Sequence, residues 1–157
     1  MAIFEAKEIF KFAIRIEENG EKFYRFASTL ADDEETKKIF NYLADEEVKH
    51  KKTFTQLLSE VTKDVSFENY SDEYFDYLKY YVDNVIFTEE QLEKQQREVK
   101  NVLSAVKFAM QKELDSVLYY HEVEKFVLPD QKSIIEEIIA EERKHYAKLS
   151  EMKENLK

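Results

Sequence analysis

A single glycine and a single proline serve the whole chain of 157 residues. Average usage is about 7% and about 5%, so the turn chemistry of a many-stranded sandwich or barrel is missing and an all-α fold is expected. Apolar residues recur at spacings of three and four from Ile3 to Leu30, which a 3.6-residue helix gathers into one buried stripe. Gly20 lies inside that stripe, where it lowers helix propensity by up to about 1 kcal/mol relative to alanine. Leu30-Ala31-Asp32-Asp33-Glu34-Glu35 reads as a helix end, a cap and an acidic first turn. A second helix then runs to about Val61, and a third from Lys100 or Val102 to Phe126 or Val127. Leu128-Pro129-Asp130 supplies the next turn and cap, and a fourth helix fills the remainder.

The segment 62–99 between the second and third helices is rich in aromatics, Phe67, Tyr70, Phe75, Tyr80 and Phe87 among them. Tyr74, Tyr77, Leu78, Tyr81 and Val85 fall at helical spacing, so part of it is expected to form one short amphipathic helix. A main helix of about 27 residues is about 40 Å long, a distance an extended chain crosses in roughly 12 residues. The segment can therefore run back along the bundle. The expected layout is one domain over 1–157, a four-helix bundle whose helix pairs 3–61 and 100–157 are joined by the crossover 62–99.

Charge and composition exclude several functions. A net charge of −10, with Lys and Arg scattered among the acids, argues against a nucleic-acid partner. Glu5, Lys7, Glu8 and Lys11 interrupt the apolar opening run, which fits neither a signal peptide nor a membrane span, so a cytoplasmic protein is expected. With no cysteine, any metal must be held by carboxylate oxygen and imidazole nitrogen, which suits Fe, Mn or Zn.

Each main helix places acids where a core residue belongs. The stripes read Ala6, Phe10, Ala13, Glu17, Gly20, Tyr24, Ala27, then Phe40, Leu43, Glu47, His50, Phe54, Leu57, Val61. In the second half they read Val102, Val106, Ala109, Glu113, Ser116, Tyr120, Val127, then Ile135, Ile138, Glu142, His145, Leu149, Met152, Leu156. Buried carboxylates cost several kcal/mol unless paired or metal-bound. The halves repeat one another: a Glu followed seven residues later by Tyr, then Glu-x-x-His, with 33 residues from Glu17 to His50 and 32 from Glu113 to His145. Residues equidistant from a turn share a level in an antiparallel pair. The midpoint of Glu17 and Glu47 is residue 32, and that of Glu113 and Glu142 falls between 127 and 128, which are the two turns. All four Glu can thus form one layer, with each His one turn away on the same face. Two divalent cations would neutralise four carboxylates, and two imidazoles would leave open positions for an exogenous oxidant. The competing reading is a structural module whose acids pair with Lys or Arg; no basic residue stands beside them on the four stripes.

The chain resembles the rubrerythrin family of the ferritin-like superfamily over nearly its whole length. The resemblance rests on Ala13-x-x-x-Glu17-x-x-Gly20-x-x-x-Tyr24, Leu43-Ala44-Asp45-Glu46-Glu47-x-x-His50, Ala109-x-x-x-Glu113 and Glu141-Glu142-x-x-His145. It implies a bundle that binds two Fe ions, with Mn or Zn as substitutes, and oxidoreductase chemistry on O2 or hydrogen peroxide. By motif position Glu17, Glu47, His50, Glu113, Glu142 and His145 become ligands, with Glu47 and Glu142 as bridges. Two departures stand out. Rubrerythrins carry a further ligand Glu where this chain has Ser116, which leaves a six-ligand set closer to that of bacterioferritin. They also carry a cysteine-rich rubredoxin module, which this chain lacks, so the electron donor is expected to be a separate protein. Iron sequestration of the ferroxidase type, without catalytic turnover, is the alternative.

The remaining candidates divide by helical position. Tyr24 and Tyr120 lie about 10.5 Å along the helix from their own Glu; they are core aromatics or reach a ligand Glu on a neighbouring helix and fix its orientation. Glu18, Glu46 and Glu141 fall off the stripes and are read as solvated; Glu124 has the wrong height, and His121 faces away. The aromatic crossover packs on the bundle flank or forms the surface of a homodimer.

Overall fold

The computed structural model describes residues 6–61 and 70–156. The expected helix start at Ile3, the side chain of Ala6 and the crossover stretch 62–69 with Phe67 lie outside them. Six helices follow in order: α1 (Ala6–Leu30), α2 (Glu34–Glu60), α3 (Asp72–Val85), α4 (Glu89–Glu98), α5 (Val102–Val123) and α6 (Pro129–Asn155), with no strand among the described residues. None is long and apolar enough to cross a membrane. The helices α1 and α2 form one closely packed pair and α5 and α6 the other, joined mainly through α1 against α5.

Local chemistry sets the boundaries. The Asp33 carboxylate accepts from the Thr36 backbone N–H at 2.9 Å and starts α2 where the acidic run places it. Asn101 Oδ1 accepts from Ser104 N–H at 2.8 Å and starts α5. Pro129 is the first residue of α6, where its missing N–H costs nothing. The helix α5 ends at Val123, three or four residues before the expected boundary, because the chain tightens into a 3-10 turn over Glu124–Phe126 that buries Phe126.

The crossover holds two short helices where one was expected. Thr88 Oγ1 accepts from Gln91 N–H and Gln91 Oε1 accepts from Thr88 N–H, a reciprocal cap that nucleates α4 although Leu92 is its only buried residue. The buried face of α3 is Phe75, Leu78 and Val82, one position round from the expected Tyr74, Tyr77 and Tyr81. Tyr74 and Tyr81 instead lie at its edge, with their hydroxyls donating to the Glu122 carboxylate and the Asp115 carbonyl, and Tyr77 is exposed. Leu156, assigned to the fourth stripe, is also exposed, one residue past the end of α6.

The core is two clusters. One gathers Ile9, Phe10, Phe54, Tyr120 and Ile135; the other gathers Phe23, Phe40, Leu43, Val106 and Leu149. On every main helix, the polar residues of the stripe fall between these two sets.

Candidate metal centre

Between the apolar clusters the four main helices converge on a layer of charge. Glu17 comes from α1, Glu47 and His50 from α2, Glu113 from α5, and Glu142 and His145 from α6, all between 0 and 4% exposed. Ligand atoms of Glu17, Glu47, His50 and Glu142 lie within 4.8 Å of one another, and so do those of Glu47, Glu113, Glu142 and His145. Glu47 and Glu142 belong to both groups. The structure therefore brings together all six residues singled out in the sequence, as two overlapping four-residue nests. The imidazoles face each other with ring centroids 5.8 Å apart.

Both histidines turn Nδ1 inward. His50 Nδ1 lies 2.6 Å from Glu142 Oε1 and 3.5 Å from Glu17 Oε2, and His145 Nδ1 lies 3.4 Å from Glu47 Oε1 and 3.6 Å from Glu113 Oε1. These approaches lack hydrogen-bond alignment. Glu17 Oε2, Glu47 Oε1, Glu113 Oε2, both oxygens of Glu142 and the two Nδ1 atoms are buried without a hydrogen-bond partner. Among the described residues, no Lys or Arg forms an ion pair with any of the four carboxylates, which removes the purely structural reading.

Protonation behaviour follows from this crowding. Burial and the neighbouring Glu113 raise the Glu17 carboxyl to about 7, against hydrogen bonds that lower it. Burial and the repulsion of the other acids push Glu47 and Glu142 well above the ordinary carboxylate range. Glu113 moves down: burial opposes this, but Glu142, His145 and Tyr24 stabilise its charged form. Burial disfavours charge on the imidazoles, yet the facing carboxylates outweigh it and raise His50 and His145 to about 9. Metal-free, the layer is a proton-sharing cluster; two divalent cations would replace those protons charge for charge.

The tyrosines cross between helix pairs. Tyr24 of α1 donates its hydroxyl to Glu113 of α5, and Tyr120 of α5 donates to Glu17 of α1. Gly20 also has a specific function in the layer: a Cβ there would lie 2.8 Å from Glu47 Oε2 and 3.2 Å from its Cδ and Cγ. Ser116, one turn beyond Glu113, donates to the Lys112 carbonyl at 2.9 Å.

Glu141 requires a correction. Although its side chain is 45% exposed, as its off-stripe position implies, its Oε2 lies 2.5 Å from His50 Nε2. A wheel drawn for one helix misses a partner on the facing helix; the repeated Glu-Glu doublet before each x-x-His was the available signal. Both doublets reach the outer side of His50: ligand atoms of Glu46, His50 and Glu141 lie within 4.8 Å of one another, and Glu46, only 12% exposed and so not the solvated residue expected, also accepts from Lys49 at 2.7 Å. Glu18 pairs with Lys51 at 2.8 Å, and Glu124 faces His121 at 3.6 Å, both away from the layer.

Known proteins share this fold. The family model for rubrerythrin matches residues 8–153. A crystal structure described as a ferritin-like diiron-carboxylate protein from Thermotoga maritima aligns with a TM-score of 0.75 at 27% identity, covering 98% of this chain and 97% of that one. A hypothetical protein from Pyrococcus furiosus aligns with a TM-score of 0.68 at 25% identity, covering 98% of this chain and 91% of that one. No curated protein matches the chain in sequence.

Proposed function

The chain belongs to the rubrerythrin family, and from that premise we propose that it is a non-haem di-iron oxidoreductase acting on O2 or hydrogen peroxide. Glu17, Glu47, His50, Glu113, Glu142 and His145 would hold the two irons, and Glu47 and Glu142 belong to both four-residue groups. Manganese and zinc accept the same donors. The single observation that supports this most strongly is the set of buried, unpartnered oxygens and nitrogens, all from those six residues and all turned into one layer. When bound, the iron pair supplies the electrons that reduce the oxidant, and an external electron donor protein restores them. The chain's own part is positional. Tyr24 and Tyr120 fix the orientation of Glu113 and Glu17, and Glu141 holds His50 with Nδ1 inward.

Elemental analysis of protein expressed with iron is expected to give two ions per chain; no bound metal after loading with Fe or Mn would sink the assignment. Stopped-flow mixing of the reduced protein with O2 or peroxide, with a reductant present, then separates catalysis from storage. Repeated turnover is the expected result. A single oxidation without turnover would favour ferroxidase-type sequestration.

Gly20→Ala isolates the support of one ligand. Helix propensity improves by up to about 1 kcal/mol, but the new methyl displaces the Glu47 carboxylate. Iron affinity is expected to fall by about 10–100-fold, the range for disturbed ligand support, while the metal-free protein melts no lower. Calorimetric titration and thermal melts read the two effects separately.

A further inference from the structure

A small chamber adjoins the charged layer. It lies between α1 and α5 beneath the link from α3 to α4, with a volume of about 40 Å³. Phe23, Phe108, Ile86, Phe87 and Leu92 wall it, and of the six candidate ligands only Glu47 and Glu113 line it. We propose that this chamber is a dry docking site for dioxygen, serving the metal position built by Glu47, Glu113, Glu142 and His145. The inference rests on the di-iron reading and narrows it, since it separates dioxygen from hydrogen peroxide.

Size, polarity and position all point to this occupant. An apolar cavity of about 150 Å³ is what takes up benzene, so 40 Å³ excludes an aromatic or lipid substrate and suits a diatomic. Beside Glu47, Glu113 and Asp115, the polar side chains of the wall spend their donors within the protein. Asn19 Nδ2 donates to the Phe87 carbonyl at 2.9 Å, Tyr24 donates to Glu113, and Ser116 donates within its own helix. Lys112 donates to the Val85 carbonyl at 3.1 Å, pairs with Asp115 at 3.6 Å and stacks 3.7 Å above the Phe87 ring. On entering, hydrogen peroxide with its two O–H donors would exchange water for walls made mostly of aromatic and aliphatic side chains, whereas dioxygen has no hydrogen bond to lose. The chamber also depends on short side chains. Gly20, Ala109 and Ser116 all line it, and a longer residue at 116 would fill it beside Glu113. The crossover has a function in this arrangement: its α3–α4 link roofs the chamber, and Lys112 ties that roof to α5.

The test combines a structural and a kinetic readout. Crystals of the metal-free protein pressurised with xenon, a probe of dry apolar cavities, are expected to show xenon among Phe23, Phe87 and Phe108, and Ser116→Leu is expected to abolish it. In iron-loaded Ser116→Leu, oxidation by dioxygen is expected to slow by about tenfold or more, while oxidation by peroxide changes by less than about threefold. No xenon in the chamber of the unchanged protein overturns the proposal, whatever the fate of the variant. An unchanged dioxygen rate in a variant that keeps its iron overturns it too. Failure of the unchanged protein to bind iron, with xenon present, strikes the di-iron reading alone and leaves the chamber as an apolar-gas site.

Discussion

Glu47→Gln and Glu142→Gln are expected to lose both irons together, whereas Glu17→Gln and Glu113→Gln weaken one position more than the other. The difference follows from membership. Glu47 and Glu142 belong to both four-residue nests, while Glu17 and Glu113 belong to one each. Glutamine keeps the volume and removes the charge, so no cavity confuses the result. Losing a shared ligand should reduce affinity by more than the roughly 10–100-fold that follows loss of an outer hydrogen-bond partner. Metal-free stability is expected to change little at pH 7. Burial and the neighbouring acids push Glu47 and Glu142 well above the ordinary carboxylate range, so the metal-free layer holds them uncharged and a neutral glutamine of similar size replaces like with like. Metal analysis and melts on the same samples check both results. A Glu142→Gln protein that retains two ions would remove Glu142 from the bridging position.

The division between what could be read in advance and what could not is physical. The main helices were legible because each buries a whole stripe. The level of the four Glu was legible because the Asp33 cap and Pro129 mark the turns from which height is counted. Periodicity fails where an element buries little. The helix α4 rests on a two-residue cap and one leucine, so a stripe search passes over it. It also fails at the edge of a stripe. Tyr74 and Tyr81 have apolar rings at helical spacing, but their hydroxyls draw them to the rim of α3, and the true inner face is Phe75, Leu78 and Val82. Glu141 is the same problem in reverse: an exposed carboxylate by its own helix becomes the partner of His50 once a second helix is docked. The chamber arises from tertiary packing of α1, α5 and the crossover link, which no single-helix pattern encodes.

Metal loading should stabilise the protein more at pH 9 than at pH 5, because the metal-free fold weakens as pH rises. The sign follows from the raised groups. Glu17 titrates at about 7 in the folded chain against 4.5 as an ordinary carboxyl, and Glu47 and Glu142 are displaced in the same direction. His50 and His145 titrate at about 9 against 6.5. The folded state therefore holds protons that the unfolded chain has released. The stability contributed by the carboxyls is complete below about 4.5 and lost as pH passes their raised folded values, and that of the imidazoles is complete below about 6.5 and lost as pH rises through 9. Glu113 has the opposite sign, but its lowered range lies below pH 5 and does not enter the window. Metal ions need these same groups deprotonated, so binding releases protons and tightens with pH. At free metal about 100 times the dissociation constant, each site adds about 2.7 kcal/mol, or about 5–11 °C in Tm at this chain length. Melting curves of metal-free and iron-loaded protein at pH 5, 7 and 9, taken anaerobically, should therefore diverge as pH increases. Parallel curves would mean that the proton-sharing cluster and the metal site are different groups, and both assignments would have to be withdrawn together.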